Sequence, residues 1–292
     1  MTRFSHRLVA TMIACALPAA HAQSVAFTFD DAPNMTALPR LDPQQRNAAM
    51  LAALARHKVK AALFVTASNG ATGAQGSALV RAWGEAGHAI GNHTMTHPDL
   101  NSDSVTLAQY QQEVLDCDAV IRAMPGYRKW FRFTYLREGK SKDKRDGMRQ
   151  FLSAQGYRNA YVSLDTSDWR LEEKLIEVLS KDSKADLAPI KRMYLSHIRQ
   201  RALAYRALGQ RLQGRDIAQV MLLHHNLINA LWLDDVIVQF KEMGWTIVTP
   251  EAAFNDPVYA LQPASADPGQ SLLLSMARSL GLGRFEGWAR LV

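Results

Sequence analysis

The run Val25-Ala26-Phe27-Thr28-Phe29 ends abruptly in Asp30-Asp31. An apolar segment rich in β-favouring residues that delivers polar ones at its C-terminal end reads as a buried strand. The pattern recurs. Ala61–Thr66, Ala89–Asn92, Trp130–Phe133, Ala160–Leu164, Val220–Leu223 and Thr246–Val248 are expected as further strands. Helical periodicity lies between them, over 44–57, near 77–86, after the capping box of Thr106 and Gln109, twice between Arg170 and Arg215, and over 228–243. Alternation of this kind predicts a parallel α/β domain. Polar residues recur at five strand ends, whereas an open doubly wound sheet gathers its ligands at one switch point. The expectation is therefore an α/β fold, a distorted (β/α)7 barrel with its site at the C-terminal ends of the strands.

Those ends carry specific chemistry. Gly91-Asn92-His93-Thr94-Met95-Thr96-His97-Pro98 places two imidazoles four residues apart, on one side of a helical turn. Adjacent Asp side chains at a strand end point to different sides, so one can join a His-His-Asp metal set while the other stays free as a base. Three protein ligands with an open position form the catalytic pattern for zinc. Taken singly, Trp169 reads as core, Arg132 and Asp168 as an ordinary ion pair, and the arginines between 187 and 215 as a solvated face. His88 and His197 read as structural or exposed, and His57 and His225 carry no assigned role.

Five short motifs in order give the chain a resemblance to the polysaccharide deacetylases of the NodB-homology type, carbohydrate esterase family four, over residues 24–256. In Thr28-Phe29-Asp30-Asp31 the resemblance implies Asp30 as general base and Asp31 as metal ligand. His93-Thr94-Met95-Thr96-His97 resembles the second motif, with His93 and His97 as metal ligands. Arg132-Phe133-Thr134-Tyr135 is similar to the third, in which Arg132 orients the base and the Tyr135 amide helps form an oxyanion hole. Asp165-Thr166-Ser167-Asp168-Trp169 resembles the fourth, with Asp168 tuning the acid and Trp169 walling an acyl pocket. Leu222-Leu223-His224 resembles the fifth, with Leu222 in the pocket and His224 as general acid. The resemblance further implies zinc, or another divalent metal such as cobalt, and deacetylation of an N-acetylated glycan. An esterase or cyclic-amide hydrolase, and a non-catalytic carbohydrate-binding protein, are the alternatives. Three residues depart from the family pattern. Thr134 replaces the usual Pro and is expected to loosen the Tyr135 turn. Ala32 replaces Gly after the Asp pair and restricts that turn if positive φ is needed. His225 replaces Asp, and is read as a competing acid or a surface residue.

The ends of the chain are read separately. Arg3, His6 and Arg7 precede the apolar Leu8–Leu17, and Ala20-His21-Ala22 offers a cleavage point, so residues 1–22 are expected to be a signal for export to a periplasmic or extracellular location. Met12 and the short apolar run argue against lipidation at Cys15. Residues 23–258 are expected as the catalytic domain and 259–292 as a tail with a short helix, packed on the outside or meeting a partner. Beyond residue 22 the chain has 32 basic and 27 acidic residues, a charge of +5. With no basic run interleaved with aromatics, nucleic acid is not an expected partner, and no transmembrane segment is expected. Cys117 is the only cysteine beyond residue 22, which excludes an intrachain disulfide there and a thiolate metal cluster. Oligomeric state is not legible.

Overall fold

The computed structural model describes residues 23–264 and 269–282. Its centre is β1 (Ser24–Ala32), whose Val25–Asp30 are buried almost completely on both faces, which is why that run is apolar without alternation. The other strands are β2 (Ala62–Val65), β3 (Ala89–Asn92), β4 (Tyr127–Phe131), β5 (Arg158–Asn159), β6 (Leu164–Asp165), β7 (Ala218–His224) and β8 (Thr246–Ile247). All described pairings are parallel, in the order β5-β4-β3-β2-β1-β7-β6. One side of β1 pairs with β7 from Ser24↔Ala218 to Asp30↔His224. Its other side is shared: β8 takes Ser24 and Val25, and β2 takes Thr28, Phe29 and Ala32.

The strand expected at Ala160–Leu164 is split. Arg158–Asn159 pairs with β4 at one edge of the sheet, and Leu164–Asp165 pairs with β7 at the other. Between them Ala160 N–H donates to Phe131 O at 2.7 Å and Ser163 N–H to Val220 O at 3.1 Å. Five Cα steps span at most about 18 Å, so the sheet must curl until its edges nearly meet. Counted as one broken strand, this segment makes the seven-strand distorted barrel that the sequence pattern predicts, curled rather than fully hydrogen-bonded around.

Helices α1 (Pro43–Arg56), α2 (Ala74–Glu85), α3 (Leu107–Ile121), α4 (Lys142–Ala154), α5 (Asp168–Lys181), α6 (Ala188–Gln213), α7 (Leu227–Glu242), α8 (Pro250–Phe254) and α9 (Leu272–Ser279) complete the described elements, with short 3-10 turns. Helix α3 begins at the expected Thr106/Gln109 capping box, and α1 at a second one, Asp42/Gln45. Helix α4 has no counterpart in the sequence reading. Its first turn is a run of charges, Lys142 to Asp146, and the helix buries only Met148 and Leu152, one turn apart, too few apolar positions for a periodicity. Along α6 the stripe Ile190, Tyr194, Ile198, Tyr205 and Leu208 is buried as expected. Arg201 is not solvated, however. It is buried, and its Nε donates to Asp165 O at 3.0 Å, bracing the loop before α5. In α9, Leu272, Leu273 and Ala277 belong to the main core instead of lying on its outside. Residues 1–22 and 283–292 lie outside the described residues.

Close backbone packing sets where α2 meets the turn into β4. A Cβ on Gly84 would stand 1.9 Å from the Pro125 carbonyl oxygen, which is backbone and cannot swing away. Gly84→Ala is expected to lower stability by about 1–3 kcal/mol through overpacking. Denaturant unfolding of the two proteins measures it.

Candidate metal and acid-base site

Parallel register brings the chemistry-bearing strand ends together. Asp30 sits opposite His224 in the β1–β7 ladder, and His93 follows directly on β3. Asp31 leaves strand geometry, with φ of 65° in the left-handed region that Asp tolerates better than most residues. The expected divergence of the two carboxylates fails for that reason. Asp30 Oδ2 lies 3.7 Å and Asp31 Oδ1 3.5 Å from the same His93 Nε2. The restriction expected from Ala32 does not arise, since the positive φ falls on Asp31 and not on Ala32.

Different partners separate the two acids. Arg132, 1 % exposed, donates from Nη1 to Asp30 Oδ1 and to Thr28 Oγ1, both at 2.7 Å, and from Nε to Ala160 O at 3.0 Å. Its guanidinium also lies 3.9 Å from the centre of the Phe64 ring. Arg132 thus pairs with Asp30, not with Asp168. Asp31 Oδ1, by contrast, is buried with no hydrogen-bond partner among the described residues, and it lies 3.3 Å from His97 Nε2. One candidate ligand atom from each of Asp31, His93 and His97 lies within 4.8 Å of the others. Two atoms each about 2.1 Å from a tetrahedral centre are about 3.4 Å apart, so the separations suit one small cation.

The surroundings of both histidines suit such a cation. His93 Nδ1 is 2.8 Å from the Arg132 carbonyl oxygen, a contact in which Nδ1–H donates and Nε2 keeps its lone pair. Burial, with His93 beside it, lowers the His97 pKa to about 4 despite the opposing carboxylates, so the ring is neutral at physiological pH. Both flank a turn held by α3: Glu113 accepts from Thr96 N–H at 2.6 Å and from Thr96 Oγ1 at 2.8 Å.

On the other side of Asp31 stands His224, its Nε2 3.9 Å from Asp31 Oδ2. Its Nδ1 is 2.6 Å from Oδ1 of Asp168, a fully buried carboxylate. Burial alone would lower the His224 pKa. The Asp168 charge and hydrogen bond, with Asp31 and Asp30 nearby, outweigh it and raise the pKa to about 10. Asp168 Oδ2 accepts from His224 N–H at 3.0 Å and Asn229 Nδ2 at 2.6 Å. His197, expected to be structural or exposed, is buried and reaches Thr166 O at 2.6 Å in the loop before Asp168.

Tyr135 occupies a 3-10 turn at φ 54° and ψ 16°, its ring 4.5 Å from that of His97. Thr134 does not loosen this turn. Its N–H donates to Tyr110 Oη at 3.2 Å, and its hydroxyl lies 2.8 Å from the same Oη and also donates to Pro98 O, just beyond His97. His225 is neither surface nor an acid. It is fully buried, with its pKa lowered to about 4 by burial and by Arg46. Its Nδ1 accepts from Asn34 N–H at 3.2 Å, and Nε2 reaches Asn47 Oδ1 at 3.0 Å. His88 is likewise structural, with Nδ1 accepting from Ala61 N–H at 3.0 Å. Leu222 is buried in register with Thr28 and Asp165, whereas Trp169 is 44 % exposed at the start of α5 and not core. A cavity of about 440 Å³ lined by Asn34, Met35, Thr36 and Asn69 opens on Asp31.

Sequence reasoning missed Thr28, Asn229, Glu113 and Tyr110. Thr28 carried a signal, standing two residues before Asp30 and so on the same strand face. The other three act from helices, and no local spacing ties them to the site.

The family profile described as polysaccharide deacetylase matches residues 18–160. A peptidoglycan-N-acetylglucosamine deacetylase from Bacillus cereus is 27% identical over 147 residues, 50% of this chain and 46% of that protein. A chitooligosaccharide deacetylase from Sinorhizobium fredii is 37% identical over 101 residues, 35% of this chain and 40% of that one. A chitin deacetylase from Colletotrichum lindemuthianum is 30% identical over 181 residues, 59% of this chain and 66% of that one. The chain thus spans about half the length of the curated relatives it matches. In fold it resembles a family 4 carbohydrate esterase from Streptomyces lividans solved with acetate, at TM-score 0.51 and 21% identity, covering 79% of this chain and 95% of that one. It also resembles a pseudoenzyme of the same esterase family from Bacillus anthracis, at TM-score 0.55 and 16% identity, covering 80% and 66%. Matched in sequence across β1 to β5, the stretch that carries both the Asp pair and the His pair, and in fold over four-fifths of its length, the chain belongs to the polysaccharide deacetylase family.

Proposed function

We propose that this chain is a metal-dependent hydrolase that removes acetyl groups from the N-acetylated sugars of an exported or cell-wall polysaccharide, such as peptidoglycan, a chitin-like polymer or poly-N-acetylglucosamine. One observation carries the reading. The partnerless Asp31 oxygen and the two histidines lie between a carboxylate clamped by arginine and a histidine clamped by a buried carboxylate. The names of the relatives, peptidoglycan, chitin and chitooligosaccharide deacetylases, support the substrate class. Export rests on the basic and apolar character of residues 1–22.

Asp31, His93 and His97 would hold the cation, zinc or cobalt by the character of two imidazoles and a carboxylate. When bound, such a cation polarises an acyl oxygen and lowers the pKa of water. Asp30 accepts the proton of the attacking water, and Arg132 keeps that carboxylate ionised and aimed. Amide cleavage needs an acid, because an amine leaves poorly as an anion. His224, held protonated by Asp168, delivers that proton to nitrogen. The Tyr135 N–H is offered to the oxyanion, a donor typically worth about 3–4 kcal/mol. Leu222 and Trp169 bound a small slot for the acetyl methyl. A pure glycan binder would need neither Asp30 nor His224, which argues against the non-catalytic reading.

Acetate release decides among substrates. Purified protein loaded with zinc should free acetate from N-acetylglucosamine oligomers or peptidoglycan. Release from acetylated xylan alone would instead make it an esterase, and release from neither would overturn catalysis.

Asp30→Asn and Asp31→Asn should fail differently. Asp31→Asn should bind metal weakly and regain part of its activity in excess zinc. Asp30→Asn should bind metal normally yet lose about 10²–10⁴ in rate at any zinc concentration. Metal content and a zinc titration of activity measure both.

Removing the Asp168 charge should move the basic limb of the pH–rate profile. His224 acts while protonated, and Asp168 raises its pKa, so activity is lost as pH rises through that pKa. In Asp168→Asn the limb should fall by about 1–3 pH units. kcat/KM measured from pH 5 to 10 tests the direction.

A further inference from the structure

Residues 269–282 lie outside the segment matched by the family profile, yet they reach the back of the turn that carries Tyr135. Gly269 rests on the turn itself. A Cβ there would stand 2.2 Å from the Tyr135 carbonyl oxygen and 2.2 Å from Arg137 Cγ, so only hydrogen fits. Gln270 lines a cavity of about 10 Å³ together with Arg132, Asn159, Tyr161 and the buried Glu138, and that volume holds one water molecule. Two buried donors of its lining, Arg132 Nη2 and Gln270 Nε2, have no hydrogen-bond partner among the described residues. The segment is firmly seated beyond this point. Leu272 N–H donates to Val162 O at 2.7 Å, Ser271 is fully buried, and α9 packs on α6.

Arg132 is already committed on its other nitrogens, to Asp30, Thr28 and Ala160. Its Nη2 borders the cavity that Gln270 also lines. A single water there accepts from both donors, and the Glu138 carboxylate in the same lining is an acceptor for the water's own hydrogens. We propose that Gly269 and Gln270 are positioning residues: the C-terminal segment clamps the Arg132–Tyr135 turn from behind, with Gln270 and Arg132 donating to one buried water. The clamp fixes two groups at once, the arginine that holds Asp30 and the backbone that presents the Tyr135 amide. The effect on rate rests on the deacetylase reading; the clamp does not.

The test uses the full chain and two variants. Gly269→Ala removes the room at the Tyr135 carbonyl. Gln270→Met keeps the size of the side chain and removes its donor, so it decides the matter should Gly269→Ala fail to fold. Hydrogen–deuterium exchange followed by mass spectrometry reads the 131–138 segment, with 218–224 on β7 as the internal reference. Kinetics on N-acetylglucosamine oligomers and metal content are measured alongside. Faster exchange confined to 131–138, with kcat lowered about ten- to a hundredfold, KM held and metal retained, is the expected result. Unchanged exchange in 131–138, or an equal rise throughout the protein, overturns the clamp. Faster local exchange with kcat unchanged overturns its role in positioning. If the unsubstituted protein releases no acetate from any substrate, the deacetylase reading fails, and the exchange result alone decides the clamp.

Discussion

A charged guanidinium enclosed by protein is tolerable only when its partners replace water, and Arg132 is that group here. Burial lowers its pKa, and the Asp30 carboxylate opposes that shift. The pairing makes Asp30 and Arg132 mutually dependent: remove either, and the other is left as an uncompensated buried charge. The remaining contacts of Arg132 extend the dependence across the barrel. Thr28 lies on β1, Ala160 on the segment that bridges the sheet edges, and Phe64 on β2. Its own carbonyl accepts from His93, so the residue that holds Asp30 also fixes the tautomer of a candidate metal ligand.

The surroundings of His224 are built by the same logic from the opposite edge. Asp168 is buried without an arginine, and it is satisfied instead by His224, Asn226 and Asn229 around the start of α7. Glu172, one turn along α5, accepts from the N–H groups of Leu227 and Ile228 at that helix start. Two carboxylates on α5 therefore anchor the turn that follows β7, one through the His224 side chain and one through backbone. Asp30 and His224 thus have different partners, Arg132 and Asp168, with Asp31 between them.

The departures from the family pattern show how local identity is absorbed by tertiary context. Thr134 keeps an N–H that proline would lack, and that N–H and the hydroxyl both meet Tyr110. The turn is held by hydrogen bonds where the usual residue would hold it by a ring. His225 stands where a carboxylate is common, and it works as a neutral acceptor for Asn34, tying the loop after the Asp pair to the end of β7. Arg46 secures the same loop through the carbonyls of Asn34 and Thr36.

By itself the sequence determined the alternation of buried strands and amphipathic helices, because burial on both faces of a parallel strand demands a continuous apolar run. It also determined which strand ends carry acids and imidazoles, since reactive side chains stand out directly after such runs. The Thr106/Gln109 capping box and the stripe along α6 were legible for the same reason: their signals lie within a few residues. Only the tertiary structure decided that 158–165 bridges both sheet edges, because strand partners distant along the chain leave no local trace. It alone decided that Asp30 and Asp31 converge on His93, since one left-handed backbone angle overrides strand alternation. The reach of Gln270 to the cavity beside Arg132 belongs there too. Such contacts are set by where the barrel places a side chain, and the spacing of residues along the chain does not encode that distance.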